Sequence, residues 1–188
     1  MRWDRLFTDL EAEVAELHAR DRDAEIAQLT EAELAQVSWL ERLRGAVGSL
    51  VVLEAGVGAP VRGRLRYVGP DWALLDVDGW DVLVPAAAVA GVEGIGRWAA
   101  PSAERVPLTW AAAWRTLSRD RSMVRISRRD GTVVRGRVAR VGADFAELDR
   151  AADGDLLAPR SPDQRRSAVL LVPFACVGVV HAVPDAAL

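Results

Sequence analysis

VRGRLRYVGPDWALLD, residues 61–76, returns 73 positions later as VRGRVARVGADFAELD, residues 134–149, with ten of sixteen positions identical. The repeated block carries a strand rhythm. Val61, Gly63 and Leu65 alternate with Arg62, Arg64 and Arg66, and Val134, Gly136 and Val138 alternate with Arg135 and Arg137, so one face is apolar and the other charged. A glycine in the middle of each long strand marks a bend. The chain is therefore an internal duplication, and 188 residues accommodate two small units plus flanking helix.

The strand pattern extends outward from both copies. VVLEA precedes the first block and VRISRRDG the second, with Asp130-Gly131 a strong hairpin-turn signal. Downstream, VLVPAAAVAGV (82–92) is matched by VLLVPFACVGVV (169–180), after an aperiodic insert at 150–166 that reads as a surface loop. Upstream, Trp3, Phe7, Leu10, Val14 and Leu17 follow an alternating four-three spacing, the apolar seam of an amphipathic helix. That seam suits either a dimer contact or packing on the strands. Thr30-Glu-Ala-Glu33 reads as a capping box before a second helix carrying Leu34, Val37, Leu40 and Leu43, and Thr109 as the cap of a helix through Arg119. The expected domains are a helical segment at 1–37, a first β unit at 38–94, a linker at 95–107 and a second β unit at 108–182. Because some fifty residues of bent sheet have two faces to bury, each unit is expected to curl into a small barrel, giving an α+β fold.

These residues resemble the Sm-like fold of the Sm, LSm and Hfq proteins. The likeness rests on a leading helix, a bent V-x-G-x-L or V-x-G-x-V strand, a turn containing Asp, a variable loop and a closing V-P-x-x-x-V. It implies two tandem Sm-like barrels, and, because that family assembles edge to edge in rings, a homo-oligomer; three chains would make a six-barrel ring. The resemblance places Trp72 and Phe145 at the family's base-stacking position. Ala73 and Ala146, however, stand where its RNA-contacting Asn belongs, and Val84-Pro85 and Val172-Pro173 replace its Arg-Gly pair. Without those donors, Trp72 and Phe145 are expected in the core or at an interface. A helix followed by two such barrels also resembles a protein family of GC-rich bacteria to which no activity is attached.

Charge divides the copies. All 24 basic residues are Arg, and the net charge is -3. Residues 1–46 hold six Arg against eleven acidic residues, and 47–94 hold three against six, whereas 115–140 hold nine against two. Arg125, Arg128, Arg129, Arg135, Arg137 and Arg140 form a candidate nucleic-acid surface that contacts phosphates without reading bases. The same basic region could instead meet the acidic first unit of another chain.

No catalytic constellation is legible. His18 and His181 are far apart, and Cys176, the single cysteine, aligns with Ala88, the mark of a small packing residue. Asp71, Asp76, Asp78 and Asp81 lack the ligand spacing of a calcium loop, and in the second copy only Asp144 and Asp149 correspond. Gly56 to Gly58 lack the lysine and spacing of a phosphate loop. The expectation is a non-enzymatic binding or scaffold protein with no cofactor, metal or small-molecule substrate, whose partners are its own copies or another protein, and alternatively RNA or DNA. No apolar run reaches membrane-spanning length and the N-terminus carries no signal-like stretch, so a cytoplasmic location is expected.

Overall fold

The computed structural model describes residues 34–56, 58–101, 107–149 and 169–183. The chain divides into residues 1–38 and 39–188, and the architecture that follows is that of the second part. The helical seam of Trp3, Phe7, Leu10, Val14 and Leu17, the capping box at 30–33 and the insert at 150–166 lie outside the described residues.

Each repeat begins with a short helix: α1 (Trp39–Arg44) in the first and α2 (Trp110–Arg119) in the second. Thr109 caps α2 as its sequence suggests, its hydroxyl accepting from the Ala112 amide at 3.3 Å. Five strands follow α1: β1 (Leu50–Glu54), β2 (Val61–Val68), β3 (Trp72–Val77), β4 (Trp80–Pro85) and β5 (Gly91–Glu93). Five follow α2: β6 (Met123–Arg128), β7 (Val133–Val141), β8 (Phe145–Asp149), β9 (Val169–Pro173) and β10 (Val177–Val183). The duplication holds down to its irregularities. The β2–β3 register slips between Leu65 and Tyr67, and the β7–β8 register slips between the equivalent Val138 and Arg140. One turn of 3₁₀ helix follows Pro85 in the first copy and Pro173 in the second.

Gly63 and Gly136 are required by close approach. A Cβ at Gly63 would lie 2.6 Å from the Asp76 carbonyl oxygen, and one at Gly136 2.8 Å from that of Asp149. Any side chain there pushes the neighbouring strand away.

The expectation of two closed barrels behind N-terminal amphipathic helices is corrected by the strand pairing. All ten strands form one antiparallel sheet in the order β5-β1-β2-β3-β4-β10-β6-β7-β8-β9, with only the two short helices beside it among the described residues. The sheet does not close. The physical reason is β10, which pairs with β6 of its own repeat and with β4 of the other, so hydrogen-bonding capacity that closure would have used joins the repeats instead. Within each repeat the order is the same, the fifth strand beside the first and the fourth at the opposite end.

Two apolar cores lie on opposite faces of this sheet. Leu43 of α1 packs with Val51, Leu53, Leu65 and Leu75, while Trp114 of α2 packs with Val124, Ile126, Val138 and Leu148. The central strands serve both. Val82 and Val84 of β4 enter the first core and Leu83 the second; on β10 Val179 enters the first and Val180 the second. Successive strand residues face opposite sides, so a strand apolar at every position is buried on both.

Candidate functional site: two open sheet edges and an arginine face

The β4–β10 junction is where the two repeats meet. Its register is Leu83↔Val180, Val82↔His181 and Asp81↔Ala182. The start of the second repeat is fastened beside it by the first. The indole N–H of Trp72 donates to the Leu108 carbonyl at 2.7 Å, the Leu108 amide donates to the Tyr67 hydroxyl at 3.3 Å, and the Trp110 amide donates to the Asp71 carboxylate at 2.8 Å. Trp110 then seats between Trp72 and Phe174, with ring centroids 6.2 Å from each. Aromatic contacts at such separations stabilise by about 1 kcal/mol beyond the area they bury.

Duplication makes every residue of this junction comparable with its counterpart at the ends of the sheet. By the pairings Trp72↔Pro85 and Phe145↔Pro173, β9 is the copy of β4; by Leu53↔Val92 and Ile126↔Val180, β5 is the copy of β10. Among the described residues β5 pairs only with β1 and β9 only with β8, so each offers a free edge. Leu83 at the junction is 4% exposed, whereas its counterpart Leu171 is 50% exposed, and beside it Val169 is 57% exposed. Val180 is fully buried and its counterpart Val92 only partly. The edge strands thus leave exposed the residues whose counterparts are covered in the middle of the sheet. Sequence reasoning did not single out Leu171, although VLLVP, apolar at consecutive positions, carries the signal of a strand covered on both faces.

The arginines separate into two groups. Arg125 and Arg135 are directly opposite across β6–β7, and Arg137, two residues along β7, shares their face; all three are exposed. Among the described residues none of the three has a carboxylate within ion-pair distance. Like charges opposite each other in a sheet repel, so Arg125 and Arg135 form a basic strip, which Arg137 extends toward Asp149, its partner across β7–β8. His181 extends the row, opposite Arg125 on β10, and burial first and the Arg125 charge second hold its imidazole below the ordinary 6.5. Arg140 lies past the register slip, opposite Glu147. Arg128 is turned into its own hairpin, donating to the Thr132 hydroxyl at 2.7 Å with Asp130 at 3.9 Å, and the exposed Arg129 adjoins that turn. Asp130 accepts from the Thr132 hydroxyl and amide, and those bonds, with Arg128 nearby, hold its carboxyl below the usual range.

Three acidic residues of the first repeat have local partners. Asp76 accepts from the Gly79 amide at 2.9 Å in the Asp78-Gly79 turn, where both residues have positive φ, and Asp81 pairs with Arg66 at 3.2 Å. Together with Asp71 on the Trp110 amide, these carboxylates shape turns and junction. Among the described residues no three His, Cys, Asp or Glu side chains converge as a metal site would need. Trp72 is buried in the second core, Phe145 is half-buried on β8, Cys176 is exposed in its 3₁₀ turn, and His18 lies outside the described residues.

Comparison with protein-family models, curated proteins and solved structures finds no match to this chain. Among the described residues no helix is long and apolar enough to cross a membrane.

Proposed function

We propose that the chain is a self-associating binding module whose copies join head to tail, β9 of one pairing with β5 of the next. The observation that carries this reading is the contrast between Leu83, buried where the fourth strand of one repeat meets the fifth of the other, and its equivalent Leu171, exposed at the sheet edge. Transferring the internal register gives the contact between copies: Leu171 opposite Val92, Leu170 opposite Glu93 and Val169 opposite Gly94. Its two sides differ, so the association is heterologous, and successive chains either close a ring or continue as a filament. Cysteines placed at Glu93 and Leu170, with Cys176 replaced by Ser, test it. Mild oxidation is expected to give cross-linked multimers, as facing strand positions suit a disulfide. Pairing Glu93→Cys with a cysteine at Arg137, far from either edge, supplies the control. Multimers no more abundant than in that control contradict the reading.

A second reading is favoured by the Arg125–Arg135 pairing with Arg137 on the same face. This strip suits the phosphate backbone of RNA or DNA, bound without base readout. Retention of labelled single-stranded RNA at low salt is expected to disappear in the Arg135→Glu, Arg137→Glu chain; unchanged retention removes this reading.

A further inference from the structure

Edge pairing alone leaves one aromatic side chain of the first repeat without the contact that its counterpart has. Trp39 opens α1 as Trp110 opens α2, and each stands four residues before the fully buried helix residue of its repeat, Leu43 or Trp114. Trp110 is 5% exposed, enclosed by Trp114 and Phe174 of its own repeat and by Trp72 of the other. Trp39 is 40% exposed. The counterpart of Trp72 is Phe145, set opposite Pro173 as Trp72 is opposite Pro85, and it is half-buried on β8 beside the free β9 edge.

We propose that Trp39 of one chain docks on Phe145 of the next, plugging the junction between copies as Trp110 plugs the junction within a chain. The inference rests on the head-to-tail reading: when β5 meets β9 in the internal register, α1 of one copy stands to Phe145 of the next as α2 stands to Trp72. The occupant of the apolar patch formed by Phe145, Val169 and Leu171 is thereby a second copy of this chain. Two differences set its strength. Phe145 has no polar atom with which to repeat the Trp72 bond to Leu108, and Arg140 occupies the place of Tyr67, whose hydroxyl accepts from the Leu108 amide. Docking between copies is thus an apolar ring contact without those tethers, which makes it the more reversible of the two junctions.

The experiment compares full-length Trp39→Ala, Trp39→Phe and Leu171→Glu chains with the wild type by sedimentation velocity across a concentration series, unfolding of each chain being followed separately in urea. The expected result is a dissociation constant raised about tenfold by Trp39→Ala, largely restored by Trp39→Phe, with register-specific cross-linking retained. Phe145→Ala is expected to weaken association similarly, and to add little when combined with Trp39→Ala, since the two rings form one contact. If Trp39→Ala associates as the wild type does while Leu171→Glu is monomeric, the plug is overturned and edge pairing stands. A wild type monomeric at every concentration overturns both. Additive losses for Trp39→Ala and Phe145→Ala overturn the docking of one ring on the other.

Discussion

Substituting Leu171 separates association from folding. Within the chain its side chain is half exposed on an edge strand, so Leu171→Ala is expected to change unfolding free energy by less than about 0.5 kcal/mol. At a junction between copies it would become as covered as Leu83, passing from 50% to near 4% exposed. Full burial of a leucine contributes about 1.5–3 kcal/mol, and roughly half of that transfer is at stake, about 1 kcal/mol for each contact between copies. A heterologous contact contains Leu171 once, so the dissociation constant is expected to rise about fivefold for Leu171→Ala. Leu171→Glu sets an unpaired carboxylate against Val92 and beside Glu93, at a cost of about 3 kcal/mol or more, which is a hundredfold or greater weakening. Sedimentation velocity over a wide concentration range reads both values, and urea unfolding verifies that the chains remain folded. A Leu171→Glu chain that is fully folded and associates like the wild type would refute the reasoning.

Three further outcomes follow from the same geometry. Gly63→Ala and Gly136→Ala drive a Cβ into the facing strand's backbone and are expected to lower unfolding free energy by about 1–3 kcal/mol each, seen as reduced urea midpoints; wild-type midpoints would deny the close approach. Asp71→Ala removes the acceptor of the Trp110 amide and is expected to cost about 1–2 kcal/mol in the same assay, with Asp144→Ala, whose carboxylate has no such partner among the described residues, near neutral. His181 has its folded pKa held below 6.5, so the native state disfavours the imidazolium; its stabilisation is complete above the unfolded pKa and declines as pH falls through the folded one. Stability measured from pH 7.5 downward is therefore expected to begin falling below about 6.5, with a shallower slope in His181→Gln; identical slopes would remove His181 as the cause.

What could be read from the sequence was whatever the repeat and the local pattern encode. The alternation in VRGRLRYV and VRGRVARV marks β2 and β7 with their core and solvent faces, Asp130-Gly131 marks the β6–β7 turn, and Thr109 marks the start of α2. Pairing between distant strands was not legible, because an apolar strand edge carries no address for its partner. VLVP and VGVV therefore suggested closure within each repeat, where the structure has β4 and β10 joining the repeats. The overlooked signal was the absence of alternation in those strands, which follows from burial on both faces. The second predicted helix is not continuous: residues 35–38 are non-helical, and the helix of Trp39–Arg44 follows them, with Leu34 exposed. Of the arginine cluster, register rather than sequence proximity decides membership: Arg125 and Arg135 are ten residues apart yet face each other, while Arg128 folds back on Thr132.

Head-to-tail assembly requires that the two free edges recognise each other, and the most direct measurement is the mass of the wild-type chain in solution by light scattering across a hundredfold range of concentration. Head-to-tail pairing predicts masses at multiples of 20.4 kDa that grow with concentration, reaching a plateau if the chains close a ring and continuing to rise if they form a filament. A mass of one chain at every concentration would contradict it.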